Sequence, residues 1–592
     1  MSDTIIDINT SRRERLKSYF GLGLPARELD LDFPPPPTSR RIKKPNLSTI
    51  AIERELKQEG KVPLRRLEKI REDMLKINGY RISPAARTRV TQYYWHKIYA
   101  LAQQMYKTFG KVGTVPDKGN RAQHLDITIE LLDQIRKSYQ YLFAHYYDYP
   151  NWRYGPCREK IYDAAFRILE VVQLQQQISA LRYRDLNTST WRGLNKIFYV
   201  MREYESVEVP ILLTRSRIKY NATQVKETIS DIYLRIQLTG YFDALRYSVA
   251  QQRILNIYIR SKSSSIVMSK LEQSSLLGGD HLIIGYDQDH IPDAQSEAAE
   301  NQTRGTLISL KAVRADLFSI HEDLNKPENR QNQFLVKSAH FRKVPPKNRS
   351  SLFNILYRRV QSDYSKFRSL TTRNAVNLLV YSGFMDCYEL KLDQKRPDAQ
   401  KRVLRSRLAE RSAFIGEDDQ AEVQSLWYCL YNNNNTMLLQ TQETRYTIPL
   451  SVGSLIAFSY KGEDMPYTLA SVSKIERLIE DQVNIELTLV TDSAEAVTLT
   501  SLIEEKIDGK NKKYPALLVI KPQGWLLVMH HSYISKRMQH FLISRDKKET
   551  EAYLSTQLFA AEEFSVFSLS NKDGEPLGAM DNKPHVRSTI DI

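Results

Sequence analysis

Arg407 and Arg411 stand four residues apart in RLAER, with Arg402 and Arg405 just upstream. A guanidinium is planar, permanently charged and presents paired N–H donors. Two of them on one short segment can grip phosphate oxygens bidentately and stack flat on an aromatic base. Further on comes NNNNTM, Asn432 to Met437, where Asn432 and Asn434 offer amide donors and acceptors for a polar edge. A second arginine set, Arg358, Arg359, Arg368 and Arg373, precedes the strand-like stretch Asn377 to Tyr381, an arm-before-strand arrangement that would make a second anion site. Each pattern also has a plainer reading. Arg407 and Arg411 would coat a linker helix, the asparagines would form a hairpin turn, and the second set would be the polar face of a helix.

Other chemistry is weakly signalled. The chain has no P-loop, no G-x-S-x-G, no H-E-x-x-H and no Rossmann fingerprint. Asp287-Gln288-Asp289-His290 and His530-His531 are the suggestive polar clusters, and nothing pairs either with further ligands. No catalytic residue, metal site or cofactor is therefore assigned, and an enzyme is not expected. Cys157, Cys387 and Cys429 lie far apart without C-x-x-C spacing, which suits neither a disulfide framework nor zinc and suggests a reducing compartment.

The 592 residues include 86 Lys+Arg against 69 Asp+Glu, a net charge of +17 that favours polyanionic partners: a nucleotide, nucleic acid or an acidic membrane surface. The basic residues are spread through helical segments rather than clustered. The 34 tyrosines would suit base stacking, but they fall mostly at helix-core spacing, and no helix-turn-helix, zinc or RNP-type signature accompanies them. Nucleic acid is thus the weaker expectation. No apolar run approaches the roughly 20 residues of a membrane span. The first residues, MSDTIIDINTSRRERLKSYF, carry two early acids and no apolar core of a secretory signal, so a cytoplasmic location is expected.

These residues must be positioned by surrounding elements. Residues 1–46 read as an extended tail stiffened by Pro34 to Pro37 and followed by Arg40, Arg41, Lys43 and Lys44. Over 47–265 the helical period dominates: Leu125, Ile129, Leu132, Ile135, Tyr139 and Leu142 recur at three- and four-residue steps, as do Ala165, Ile168, Leu169, Val172 and Ile178. Thr188-Ser189-Thr190 would cap the next helix. Six to eight helices in a bundle or irregular solenoid are expected. Residues 266–395 read as mixed α/β, with strands near Leu282–Ile284 and Leu307–Leu310, a helix from about Ser350 to Leu370 and a β-hairpin around Ser382-Gly383, a segment that would suit a divergent small barrel. Over 396–570 short strands such as TMLLQTQ, SLIAFSY and QVNIELTLV indicate a barrel, and 571–592 read as a loose tail. The fold class is α+β multidomain.

The arginine pair followed by the asparagine turn and a small barrel resembles the PilZ domain. The resemblance extends to Ser451-Val452-Gly453-Ser454-Leu455-Ile456, which looks like that family's "v-G-d-l-v" strand, and to TLASVSKIERL after it. Trp191-Arg192-Gly193-Leu194 and the stretch Ile232 to Tyr258 resemble the helical front half of one group of large bacterial PilZ proteins. PilZ domains bind cyclic di-GMP with an R-x-x-x-R arm and a [D/N]-x-S-x-x-G strand. The resemblance implies Arg407 and Arg411 as the arm, assisted by Arg402 and Arg405, and Asn432 and Asn434 on the strand. Asn434 stands where the pattern has Ser, and Met437 where it has Gly, a position where a long side chain would obstruct the ligand unless it points away. A non-enzymatic bacterial signalling protein is implied, with cyclic di-GMP as ligand and a protein partner on the helical region. A scaffold that no longer binds nucleotide is the alternative.

Overall fold

The computed structural model describes residues 31, 33, 45–59, 63–109, 120–148, 157–203, 207, 211–213, 225–271, 281–292, 304–324, 346–361, 374–394, 426–432, 435–442, 450–460, 467–478, 482–491, 493–502, 513–534, 539–545, 548–561 and 563–578. Among the described residues eight α-helices fill the first part: α1 (Thr49–Gln58), α2 (Pro63–Gly79), α3 (Pro84–Phe109), α4 (Asn120–Tyr147), α5 (Cys157–Leu181), α6 (Thr188–Glu203), α7 (Ile229–Tyr241) and α8 (Val249–Lys262). The short strands β1 (Ile211–Leu213) and β2 (Val225–Glu227) pair between α6 and α7. The periodic residues of the sequence are the core: Leu125, Leu132, Ile135, Tyr139 and Leu142 of α4 are buried against Ala165, Ile168, Leu169, Val172 and Ile178 of α5. The cap of α6 is Asn187, not the threonines that follow it; its Oδ1 accepts from the Thr190 N–H at 2.8 Å. Within the expected N-terminal tail, Leu31 is buried in the helical core and Phe33 meets Phe143 edge-on, so that segment is anchored to the bundle.

Beyond the bundle, β3 (Met268–Lys270), β4 (His281–Gly285) and β5 (Gly305–Ser309) form an antiparallel three-stranded sheet in the order β3-β5-β4. Helices α9 (Lys311–Leu324) and α10 (Pro346–Gln361) pack with it and with α8 around Leu282, Ile308, Leu317, Phe353 and Leu356. This part is a sheet covered by helices rather than a small barrel.

Two closed barrels follow. The first contains β6 (Asn374–Ser382), β7 (Leu426–Asn432), β8 (Thr436–Gln442), β9 (Leu455–Tyr460), β10 (Thr468–Arg477) and β11 (Gln482–Thr491). The second contains β12 (Ala494–Ser501), β13 (Lys513–Lys521), β14 (Gly524–His530), β15 (His540–Arg545), β16 (Lys548–Ala560) and β17 (Phe564–Ser570). Around the first barrel the ring runs β6-β7-β8-β11-β10-β9, and around the second β12-β13-β14-β17-β16-β15. Both rings therefore order their strands first, second, third, sixth, fifth, fourth. In both, the pairing of fifth and sixth strands carries register shifts, the bulges that let a small sheet bend shut. A single barrel over 396–570 was expected; the chain makes two of one topology, and the first draws its opening strand β6 from before residue 396.

The expected hairpin at Ser382-Gly383 is not formed. Gly383, at φ +99°, ends β6, and the chain turns into helix α11 (Phe384–Gln394). Phe384, Cys387 and Leu390 recur at helical spacing and are buried between the barrels with Leu455, Ala457 and Leu469 of the first and Ala494, Ala496, Leu517 and Val519 of the second. Strand alternation explains this shared core: Ile456, Phe458 and Ala470 point into the first barrel while their neighbours Leu455, Ala457 and Leu469 point out. Glu563 adds a polar clamp. Its Oε1 accepts from the Phe384 N–H at 2.6 Å, and its Oε2 from the Leu455 N–H at 2.9 Å.

Candidate functional site

Two ends of the first barrel have different surroundings. At one end lie the start of β6, the β7–β8 hairpin and the end of β11. Asn374 pairs with Cys429, Asn432 with Met437, and Thr436 with Thr488. The Leu489 N–H donates to the Asn435 carbonyl at 2.8 Å and holds the hairpin to β11. Asn432 and Asn435 are exposed. Met437 is not: it is 3% exposed and packs inside the barrel with Leu439, Ile485 and Leu487. Inward positions Met437, Leu439 and Thr441 alternate with the half-exposed Thr436, Leu438 and Gln440. The long side chain at the pattern's glycine position thus faces away from the barrel surface.

Asn434 and the four arginines Arg402, Arg405, Arg407 and Arg411 lie outside the described residues, as do Arg368 and Arg373. Of the second set, Arg373 is covalently next to Asn374, which begins β6 toward the end that carries Asn432. The segment with Arg407 and Arg411 instead enters β7 at Leu426, opposite Asn377. Six strand steps of about 3.3 Å place that entry about 20 Å from Asn432. Arg358 and Arg359 sit on α10, where Arg359 Nε donates to the Tyr241 carbonyl at 3.1 Å and its guanidinium lies over the Tyr241 ring.

The opposite end of the barrel is closed by the helical domain. Tyr183 and Leu245 pack with the barrel's interior residues Val452, Ile456, Val472 and Ile475. The Arg477 N–H donates to the Tyr183 carbonyl at 2.7 Å, and the Val452 N–H donates to the Tyr183 hydroxyl at 3.2 Å. Beside them Arg246 donates bidentately to Glu486 at 2.6 and 2.9 Å, while Asp243 pairs with Arg246 at 3.1 Å and with Lys474 at 2.9 Å. Burial opposes the charge on Asp243, but Lys474 and Arg246 outweigh it and hold that carboxyl well below the usual carboxylate range. Glu486 is likewise lowered, burial being overcome by Arg246. Asp185, half-buried nearby, is pushed up by burial to about 7. Among the described residues two non-glycine residues have positive φ, Tyr183 at 53° and Asp243 at 52°, and both belong to this joint.

The residues behind this joint form the bundle's central signature. Trp191 is buried, and a Cβ on Gly240 would stand 2.8 Å from its ring, so α7 crosses α6 at a glycine. Asn195 accepts from the Tyr233 hydroxyl at 2.9 Å and from Gln237 at 2.7 Å, and Phe198 stacks on Tyr233 with centroids 3.7 Å apart. The loop with Asp287-Gln288-Asp289-His290 docks on the same helix: Asn195 donates to the Gln288 carbonyl at 2.8 Å and Arg192 to Asp289 at 2.9 Å. His290 and then Arg192 lower the Asp289 carboxyl. His530 and His531 hydrogen-bond Ser532 and Ser565 at 2.6 and 2.8 Å. Among the described residues no group of three or more His, Cys, Asp or Glu could hold a metal ion.

Residues 59–272 match the N-terminal domain of the cyclic-di-GMP receptor FimW. The FimW match spans the bundle from α2 through β3, including Trp191, Gly240 and the Asp243–Arg246 turn that meets the first barrel. The closed six-stranded barrels beyond it are consistent with the PilZ-like fold that the sequence resembles. No curated protein and no solved structure matched. No described helix is long and apolar enough to cross a membrane.

Sequence reasoning missed the joint. Arg246, Lys474 and Glu486 lie on segments whose meeting depends on tertiary packing, and no local spacing links residues that far apart. It also missed α11, although the Phe384–Cys387–Leu390 spacing carried the signal.

Proposed function

We propose that this chain is a cyclic-di-GMP receptor that works in bacterial signalling without catalysing a reaction, and that the nucleotide sits at the hairpin end of the first barrel. The observation that carries this reading is the pairing of Asn374 with Cys429, which brings an arginine-bearing entry and the exposed asparagine hairpin to one end of a barrel attached to a FimW-like bundle. The ligand of this reading is that of the receptor FimW, whose N-terminal domain the bundle resembles.

In this arrangement Asn432 and Asn434 hydrogen-bond a guanine edge, while arginines bind the two phosphates and stack on the bases. The arm is Arg407 with Arg411, assisted by Arg402 and Arg405, or else Arg368 with Arg373; the second pair has the shorter path to Asn432. The inward Met437 leaves the outer face of β8 clear for the ligand. Binding shifts a pre-existing equilibrium toward the form in which the arm closes on the nucleotide. The helical region carries that change to a protein partner inside the cell, with no metal or further cofactor taking part.

Calorimetric titration of the whole protein with cyclic di-GMP tests this. Micromolar or tighter binding is expected, reduced at least tenfold by Asn432→Ala and abolished by one of the double variants Arg407→Ala/Arg411→Ala and Arg368→Ala/Arg373→Ala. Which double variant abolishes it identifies the arm. No binding by the folded protein would leave a scaffold acting through protein contacts alone. Salt-sensitive binding to DNA or RNA instead would assign the charge to nucleic acid.

A further inference from the structure

The two barrels share a topology, yet the chain leaving their sixth strands takes different routes. In the first barrel β11 ends at Thr491 and the chain passes almost at once into β12 at Ala494. In the second, β17 ends at Ser570 and the chain doubles back. Asn571 forms a tight turn: its N–H donates to the Glu575 carbonyl at 2.8 Å and its Oδ1 accepts from the Glu575 N–H at 2.9 Å. A bridge between Ser570 and Pro576 follows.

The returning segment lands on the second barrel's β13–β14 hairpin, the counterpart of the Asn432–Thr436 hairpin. The Trp525 N–H donates to the Leu577 carbonyl at 2.8 Å, and the Leu577 N–H donates to the Leu569 carbonyl at 3.0 Å. Gly524, at φ +136°, has Pro576 Cβ and the Leu577 carbonyl 3.4 Å from where its own Cβ would be. Gly578 presses on the Trp525 indole so closely that a Cβ there would lie 2.1 Å from Nε1. At φ +73° that glycine is also in a conformation other residues rarely adopt. Residues 571–578, the first part of the stretch 571–592 that reads from sequence as a loose tail, are built into the barrel end; the rest lies outside the described residues.

We infer that Asn571–Gly578 is an intramolecular cap. It occupies, on the second barrel, the end that the first barrel leaves to its exposed asparagines, and it confines nucleotide binding to the first barrel. The second half of this inference rests on the proposed cyclic-di-GMP reading; the first does not. The connection at Thr491–Ala494 leaves the first barrel no such returning segment, so the asymmetry is set by connectivity.

Two measurements on the whole protein test it separately. Hydrogen exchange should find the Trp525 and Leu577 amides protected together, and Gly578→Val should speed both at least tenfold while β15 and β16 keep their protection. Fast exchange at Trp525 in the native protein, or unchanged protection in Gly578→Val, would overturn the cap. Titration with cyclic di-GMP should show one class of site, weakened by Asn432→Ala and unaffected by Lys521→Ala or Trp525→Phe. A second class of site lost in the Lys521 or Trp525 variants would overturn the confinement. Absence of any binding alongside a protected Trp525 amide would sink the nucleotide reading, and with it the confinement, while the cap stands.

Discussion

Arg246 and Glu486 are 240 residues apart in the chain and meet as a bidentate ion pair, at 2.6 and 2.9 Å, across the junction of bundle and barrel. Ser473 donates to the same carboxylate at 3.1 Å, and Arg246 also holds Asp243. Removing the guanidinium leaves two partly buried carboxylates short of a cation. Arg246→Ala is expected to cost about 3 kcal/mol. Chemical denaturation followed by tryptophan fluorescence would measure it, and a loss under 1 kcal/mol would show the joint to be solvated.

The joint also makes stability depend on pH in two opposite ways. Asp185 starts from a usual value of 3.8 and is raised to about 7 in the folded protein. Between those values the folded state holds a proton that the unfolded chain has lost, so this group's contribution falls as pH rises from about 4 to about 7 and is level above. The lowered Asp243 and Glu486 act in the other direction, contributing fully above the unfolded carboxylate range and losing that contribution as pH falls through their folded values. Asp185→Asn keeps an acceptor for the Leu186 N–H, which donates to Oδ1 at 2.7 Å. The variant should gain on the native protein as pH rises from about 4 to about 7, by roughly 1–3 kcal/mol at the upper end, and hold that gain above. Equal pH slopes for the two proteins in urea titrations would contradict this.

A glycine at position 437, as in the PilZ pattern, should do harm. Met437 fills the interior of the first barrel, so Met437→Gly opens a cavity and is expected to cost roughly 3 kcal/mol or more. Its cyclic di-GMP affinity, measured where the variant remains folded, should stay within a few-fold of native. A gain of tenfold or more would mean that the methionine side chain does obstruct the ligand.

Gly240 makes a sharper packing test. A methyl group there would meet the Trp191 ring at 2.8 Å and Pro292 at 3.1 Å. Gly240→Ala gains helix propensity of about 1 kcal/mol, but overpacking of about 1–3 kcal/mol outweighs it. A net loss of about 1 kcal/mol with a changed tryptophan emission is expected. A stabilised variant with native emission would show that the crossing relaxes freely.

How much of this was legible follows from the range of each signal. Helical period is local, so Leu125 to Leu142 and Ile161 to Leu181 announced their helices, and TMLLQTQ its strand. Barrel closure is not local. β8 pairs with β11, and β14 with β17, across intervening strands, so the sequence marked strands without showing that they close two rings. The α11 stretch reads as a strand in sequence because Gly383 suits a hairpin turn and Tyr381, Phe384 and Tyr388 suit either state. At the candidate site the pattern points to Asn432, which lies exposed at the hairpin, while the direction of Met437 follows only from the β8 register. The meeting of Tyr183 with Arg477 had no local trace at all.

Helix α11 lays one apolar stripe against two barrels at once, and Glu563 of the second barrel ties down both the helix and β9 of the first. Neither barrel's outer face is complete without the other. A recombination event or proteolytic nick between Thr491 and Ala494 would fall between two rings of strands and still divide a single hydrophobic unit. The barrels look like beads on a string in the order of their strands, but their facing surfaces make one hydrophobic unit.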